Sequence, residues 1–251
     1  MDDFQLLIDL HKPNLRLGPG SEAATRLALE LSGLLPQRGL TIADVGCGTG
    51  AATLTLAEHL DAQITAVDIF PDFLAELTRR AQERGVSKRI QTLRASMAEL
   101  PFDDASLDAI WSEGAIYNIG FESGVKAWRP CLKHGGVLAV SELTWLTSER
   151  PAELQAHWDQ HYPQVDVASA KIAVLEKHGF TPIGYFPLDE SCWIQHYYHP
   201  LQTQFPNLLN QYDHSPAAHA CVDAEAHEIA LYEKYKDHVS YGFYVARKTG
   251  G

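Results

Sequence analysis

From Leu40 onward, short apolar runs alternate with stretches in which apolar residues recur every three to four positions. The first kind reads as buried strand and the second as amphipathic helix. The pattern predicts strands at residues 41–45, 64–69, 90–94, 107–111 and 137–143, separated by helices at 51–60, 72–84 and 122–132. Gly85 closes the second of these helices and Gly135-Gly136 the third. Past Thr144 the alternation loosens. Helices near 152–161 and 169–178 lead into a strand at 181–186, and a last strand spans 241–247. Residues 189–239 carry no strand pattern and read as an inserted pair of helices, the second from about Pro216 to His238. Strand–helix alternation with short connections predicts an α/β protein. Its sheet is expected to be seven-stranded and mostly parallel, with an antiparallel last strand and helices on both faces.

Ahead of this core, Ser21 is placed to cap a helix whose apolar positions are Ala24, Leu27, Ala28, Leu31, Leu34 and Leu35. Residues 16–20, Arg-Leu-Gly-Pro-Gly, form a loop, because glycine and proline alternate there. The expected organisation is one domain over residues 1–251. A helical lead occupies 1–38, the core 40–188 and 240–248, and a helical C-terminal insertion 189–239. Lead and insertion are expected to close as a lid over the ligand crevice.

Charge narrows the partners. With 32 acidic and 20 basic side chains the chain carries a formal charge of −12. Nucleic-acid binding depends on neutralising phosphates, so no nucleic acid is expected as a partner, and a small molecule is favoured. No apolar stretch reaches the roughly 18 residues that span a bilayer, so no membrane association is expected. Cys47, Cys131, Cys192 and Cys221 are widely spaced, as reduced thiols are. Residues 1–12 make a poor signal peptide, carrying early acids and no basic start. A cytoplasmic protein, monomer or homodimer, is the expectation.

The strongest local signal is Ala43-Asp44-Val45-Gly46-Cys47-Gly48-Thr49-Gly50, between a predicted strand and a predicted helix. Its glycines permit a tight turn and close approach to a ligand, and the helix after it offers free N–H groups. Asp44, before the first glycine, suits a ligand with an ammonium group better than one with a pyrophosphate. Asp68 closes the second strand about 20 residues on, where a carboxylate can accept from both hydroxyls of a ribose.

On these residues the chain resembles class I S-adenosylmethionine-dependent methyltransferases, a Rossmann-like family, over about residues 40–145. The glycine loop matches their first motif and Ile64-Thr65-Ala66-Val67-Asp68-Ile69 their second. Ala95-Ser96-Met97-Ala98-Glu99-Leu100-Pro101-Phe102 looks like the third, which borders the adenine; Ser96 stands where many relatives have Asp. Leu107-Asp108-Ala109-Ile110-Trp111-Ser112-Glu113-Gly114 resembles the strand and loop that face the transferred methyl, and Gly135-Gly136-Val137-Leu138 the turn into strand five. Gly18-Pro19-Gly20-Ser21, residues 112–122 and residues 149–153 are similar to a bacterial small-molecule (type 11-like) subgroup of unassigned substrate. The resemblance implies S-adenosyl-L-methionine as cofactor. The residues expected to hold it are Gly18, Asp44, Gly46, Cys47, Gly48, Thr49, Gly50, Asp68, Ile69, Ser96, Met97 and Glu113.

Methyl transfer from a sulfonium needs an acceptor held in line and shielded from water, with a base only where a proton must leave. The candidate catalytic residues are Glu113, Tyr117 and His196, and the candidate acceptor pocket is Tyr117, Asn118, Trp145, Trp193 and Tyr197. Glu113 reads also as a binder of a cationic acceptor or as a hydrogen-bond partner for its own loop, and the aromatic residues as packing for the insertion. His157 and His161 have helical metal-pair spacing but no evident third ligand, so no metal is expected. Two rivals remain. A nicotinamide-dependent oxidoreductase would carry G-x-G-x-x-G, and here Ala51 stands at the third glycine. A non-catalytic S-adenosylmethionine-binding module would share the motifs but methylate nothing. A nucleic-acid methyltransferase lacks its Asn/Asp-Pro-Pro-aromatic signature after the fourth strand.

Overall fold

The computed structural model describes residues 3–250. Helix α1 (Asp3–His11) and helix α2 (Glu22–Ser32) precede strand β1 (Leu40–Val45). There follow α3 (Ala51–His59), β2 (Ala62–Asp68), α4 (Pro71–Glu83), β3 (Ile90–Arg94), β4 (Leu107–Glu113), α5 (Phe121–Trp128) and β5 (Leu132–Trp145). The chain continues through α6 (Ala152–His161), β6 (Asp166–Val167), α7 (Ala168–Lys177) and β7 (Phe180–Pro187). The insertion holds α8 (Glu190–Trp193), a π-helical turn (Ile194–Tyr198), α9 (His199–Gln202), α10 (Phe205–Gln211) and α11 (Pro216–Tyr235), before β8 (Val239–Lys248) closes the sheet.

The main strand order is β3-β2-β1-β4-β5-β8-β7, and the two-residue β6 pairs with β5 off this path. Only β8 runs against the rest, wedged between β5 and β7. Alternate residues of the central strands point to opposite faces, as the pleat requires. Ile42, Trp111, Ala139 and Val245 pack with α2, α3 and the insertion, whereas Ala43, Ile110, Leu138 and Ala246 pack with α5 and α7. Both faces are therefore covered, which is why these strands read as continuous apolar runs. The sheet reverses its winding between β1 and β4. In open α/β sheets that reversal leaves a crevice at the carboxyl ends of the strands, where ligands bind.

Several boundaries differ from the sequence reading. The helix predicted at 122–132 ends at Trp128, because Pro130 cannot donate the next helical hydrogen bond and biases the residue before it. The following strand then begins at Leu132 and runs through Gly135-Gly136 instead of starting after them. The long insertion helix stops at Tyr235, and short helices and a π turn stand where a simple pair was expected. Leu27 and Leu31 of α2, and Leu35 after it, are exposed. The buried face is Ala24, Thr25, Ala28, Leu29 and Ser32, two of them polar, which shifts the apparent stripe by one position. Ser21 caps α2 as predicted, its Oγ accepting from the Ala24 N–H at 3.0 Å. No described helix is long and apolar enough to cross a membrane.

Candidate functional site

A cavity of about 710 Å³ opens at the carboxyl ends of β1, β2 and β4. Its floor is the turn after β1, with Gly46, Gly48 and Gly50 all in the left-handed region at φ 72°, 53° and 92°. Gly46 is constrained twice over, since a Cβ there would lie 2.3 Å from that of Ala115. The turn is stitched to the end of β2. Gly46 and Cys47 donate to the Val67 carbonyl at 2.8 and 3.0 Å, and Gly48 donates to Asp68 Oδ2 at 2.8 Å. Asp68 Oδ1 also accepts from the Phe70 N–H at 3.0 Å.

Asp44 lies beneath this turn, 1% exposed, with the Thr53 hydroxyl donating to it at 2.5 Å. Burial, followed by the nearby Glu113 and Asp68 carboxylates, pushes its pKa up to about 7 against the opposing pull of Thr53 and Arg16. Burial also raises Asp68 above the usual carboxylate range, although backbone N–H groups counter it. A buried carboxyl with only one neutral donor is suited to a cationic ligand group.

Glu113 ends β4 with both oxygens engaged. Arg16 Nη1 donates to Oε2 at 2.8 Å, and the Thr25 hydroxyl and Trp111 indole donate to Oε1 at 2.7 and 2.9 Å. This corrects its reading as a catalytic base: three donors hold the carboxylate, and it fastens the N-terminal segment to the sheet. The same segment is held from α4. Arg80 Nη2 donates to the Asn14 carbonyl at 3.0 Å, and Thr49 Oγ1 donates to the Asn14 and Leu15 carbonyls at 3.1 Å. Asp9 of α1 accepts from Gln211 and Tyr212 at 2.6 and 2.7 Å, so the strap reaches the insertion as well.

Beyond Glu113 the cavity changes character. Gly114 adjoins Tyr241 while Ala115 adjoins Gly46, so this short stretch joins the glycine-loop end to a second, aromatic end. That end is walled by Tyr117, Trp158, Tyr162, Trp193, Tyr197 and Tyr241, with His11, His161, Glu225 and Glu228 among them. Tyr117 meets Tyr162 edge-on at 5.8 Å, and Trp193 stacks on Tyr232 at 4.4 Å. Glu228 accepts from the Tyr198 hydroxyl at 3.1 Å, and burial, then the Glu225 charge, pushes its pKa up to about 7.

Most of the sequence-predicted residues converge here. Gly18, Asp44, Gly46, Cys47, Gly48, Thr49, Asp68, Ile69, Ser96, Met97 and Glu113 line the cavity, as do Tyr117, Asn118, Trp193 and Tyr197. The Ser96 hydroxyl accepts from the Ala98 N–H at 3.2 Å, and the Met97 carbonyl accepts from the Trp128 indole at 2.7 Å. Three residues fall outside. Gly50 is the left-handed N-cap of α3, where a Cβ would meet Leu77 at 2.1 Å, so its role is helix packing. Trp145, 2% exposed, ends β5 in the core between Val239 and Val167. His196 is exposed on the π turn and does not line the cavity, whereas Trp193 at the end of α8 and Tyr197 of the turn do, and this removes it as a base.

Sequence reasoning missed the wall given by Phe4, Leu7, Ile8 and His11 of α1, although their spacing is that of one helical face. It also missed Arg16 as the partner of Glu113, His161 at the end of α6 with Tyr162 just after it, and Glu225 and Glu228 of α11. Carboxylates three apart on a helix give no signal until the fold shows which way they point. His157 and His161 stack at 4.3 Å, and no group of three or more His, Cys, Asp or Glu among the described residues is arranged to hold a metal ion.

Comparison with known proteins agrees with this geometry. Residues 42–136 match the family model described as a methyltransferase domain. The chain is 32% identical over 137 residues to the 27-O-demethylrifamycin SV methyltransferase of Amycolatopsis mediterranei (strain S699), a match covering 54% of this chain and 50% of that protein. It thus spans about half the length of that curated relative. In fold it is similar to an S-adenosylmethionine-dependent methyltransferase from Geobacter sulfurreducens solved with S-adenosyl-L-homocysteine, with TM-score 0.82, 16% identity, and 96% and 97% of the two chains covered. It is likewise similar to the [4+2]-cyclase SpnF, with TM-score 0.76, 23% identity, and 97% and 94% covered. These structural likenesses establish the Rossmann-like methyltransferase fold, and a fold alone does not choose a reaction.

Proposed function

We propose that this protein, whose residues 42–136 match a methyltransferase domain, transfers a methyl group from S-adenosylmethionine to a small-molecule acceptor. The observation that carries this reading is the pairing of buried Asp44 and half-buried Asp68 around the glycine turn, in a cavity that continues past Gly114 into a walled aromatic pocket. The donor set fits the cofactor. Asp44 would meet the ammonium of its amino-acid end, Asp68 the ribose hydroxyls, and Ile69, Ser96 and Met97 would border the adenine. It does not fit a dinucleotide. The turn's N–H groups at Gly46, Cys47 and Gly48 are already spent on β2, and Asp44, Asp68 and Glu113 would oppose a pyrophosphate.

Bound S-adenosylmethionine supplies an electrophilic methyl carbon on a sulfonium. The chain's own part is to orient the acceptor and keep water out. The strap of α1 and residues 12–19, held by Arg80, Thr49 and Glu113, covers the cavity on one side, and the insertion covers it on the other. The acidic surface favours a small acceptor over nucleic acid, and the absence of a basic or membrane-spanning segment among the described residues fits a cytoplasmic enzyme.

Ligand-induced stabilisation tests the reading. S-adenosylhomocysteine at about a hundredfold excess over its Kd should raise the melting temperature by about 5–10 °C. NAD⁺ should leave it unchanged, and an equal or larger shift with NAD⁺ contradicts the assignment.

Asp44 adds a pH signature. Its carboxyl is held up to about 7 in the unliganded protein, and an ammonium favours the ionised form, so binding must expel the proton below that pH. Affinity for S-adenosylhomocysteine should weaken as pH falls through 7, by up to about tenfold per unit. Calorimetry between pH 6 and 8 reads this directly, and a flat profile removes Asp44 as the ammonium partner.

A further inference from the structure

We propose that the acceptor is recognised through a basic nitrogen, bound as an ammonium between Glu225 and Glu228 within the tyrosine-lined end of the cavity. This rests on the methyl-transfer reading and narrows its substrate class. The nitrogen is the recognition group, whichever atom of the acceptor takes the methyl.

Three features of that end point the same way. Its charge is one-sided. Glu225 and Glu228 sit one helical turn apart on α11 and both face the cavity, while the only lysine or arginine on the described cavity wall is Arg16, which is already paired with Glu113. His11 Nε2 stands 3.6 Å from Glu225, and no lysine or arginine pairs with Glu228, whose hydrogen bond comes from the neutral hydroxyl of Tyr198. Two carboxylates at such separation in a part-buried wall repel, and a cation placed between them relieves that repulsion.

The wall around them is aromatic. Tyr117 and Tyr197 lie close enough to both glutamates, and Tyr241 to Glu228, for those charges to act on their hydroxyls. Trp158 and Trp193 complete the surround. Faces and edges of this kind attract an ammonium and offer apolar surface to the carbon skeleton attached to it. The wall also holds unspent polar groups: the Trp158 indole N–H and His11 Nδ1 have no hydrogen-bond partner. Buried polar atoms are normally satisfied, so two on one wall favour a polar occupant. An anionic acceptor would meet two carboxylates and no available lysine or arginine. A neutral apolar acceptor would strand both glutamates away from water.

The test is calorimetry at pH 7.5 on the full chain saturated with S-adenosylhomocysteine, titrated with three probes of one shape: 2-phenylethylamine, 2-phenylethanol and 3-phenylpropionate. The amine should bind at least about tenfold more tightly than the alcohol, and the carboxylate should not bind. In the isosteric E225Q/E228Q double variant the amine's advantage should vanish while affinity for S-adenosylhomocysteine is unchanged. Equal or tighter binding of the alcohol or the carboxylate, an advantage that survives the double variant, or no binding of the amine overturns the inference while leaving cofactor binding intact. Failure of S-adenosylhomocysteine itself to bind overturns the methyl-transfer reading, and this one with it. The wild-type probe series decides the matter even where the double variant does not fold.

Discussion

Replacing Arg16 with methionine should destabilise the protein by about 3–5 kcal/mol, the cost of leaving one member of a buried ion pair alone. Arg16 and Glu113 are only 9% and 8% exposed and meet at 2.8 Å, so solvent does little to screen the carboxylate that remains. Two of its donors, the Thr25 hydroxyl and the Trp111 indole, are neutral and cannot balance the charge. For a chain of this size the loss corresponds to a fall of roughly 6–20 °C in melting temperature. The double variant R16M/E113Q should recover much of it, because a neutral amide in place of the carboxylate needs no cation. Urea unfolding of the two variants measures both effects. A single variant within about 1 kcal/mol of wild type would show that the strap is not fastened through this pair.

Replacing Asp68 with alanine should have the largest effect on ligand affinity. Its carboxylate holds the glycine turn through the Gly48 N–H and the start of α4 through the Phe70 N–H, and it lines the cavity at the end of β2. Alanine strands both N–H groups and removes the acceptor proposed for the ribose hydroxyls, a loss of about 1–3 kcal/mol in binding or roughly five- to 150-fold in affinity. Asp68→Asn separates the two contributions. Its carbonyl oxygen still accepts one hydrogen bond, so the turn is held while a charge-assisted bond becomes a neutral one. An intermediate loss is expected.

Much of this was legible in the chain. Thr41 to Val45 and Val137 to Leu143 announce buried strands because both faces of the sheet are covered, and continuous apolar runs are what such strands require. The glycine turn and Asp68 were readable because the backbone conformation at Gly46 and the spacing to the end of the second strand are local properties. What stayed hidden depends on long-range packing. Whether Glu113 faces a substrate or a cation is decided by Arg16, 97 positions away, and the inward or outward aim of His196 by a π turn that ordinary helical periodicity does not describe. Trp145 looked like a pocket aromatic because the length of β5 could not be judged. The strand runs two residues past Leu143, its expected end, and Trp145 is its buried last residue. The acidic pair of α11 became meaningful only when the fold set it opposite Tyr197 and Tyr241.

The account turns on a cradle for an amino-acid-bearing nucleoside built from the first turn and the end of the second strand. Calorimetric titration of wild type and Asp68→Ala with S-adenosylhomocysteine addresses it most directly. One-to-one binding to wild type, weakened roughly five- to 150-fold in the variant at unchanged stoichiometry, is the predicted result. Binding of equal strength in the two proteins, or none in wild type, would contradict it.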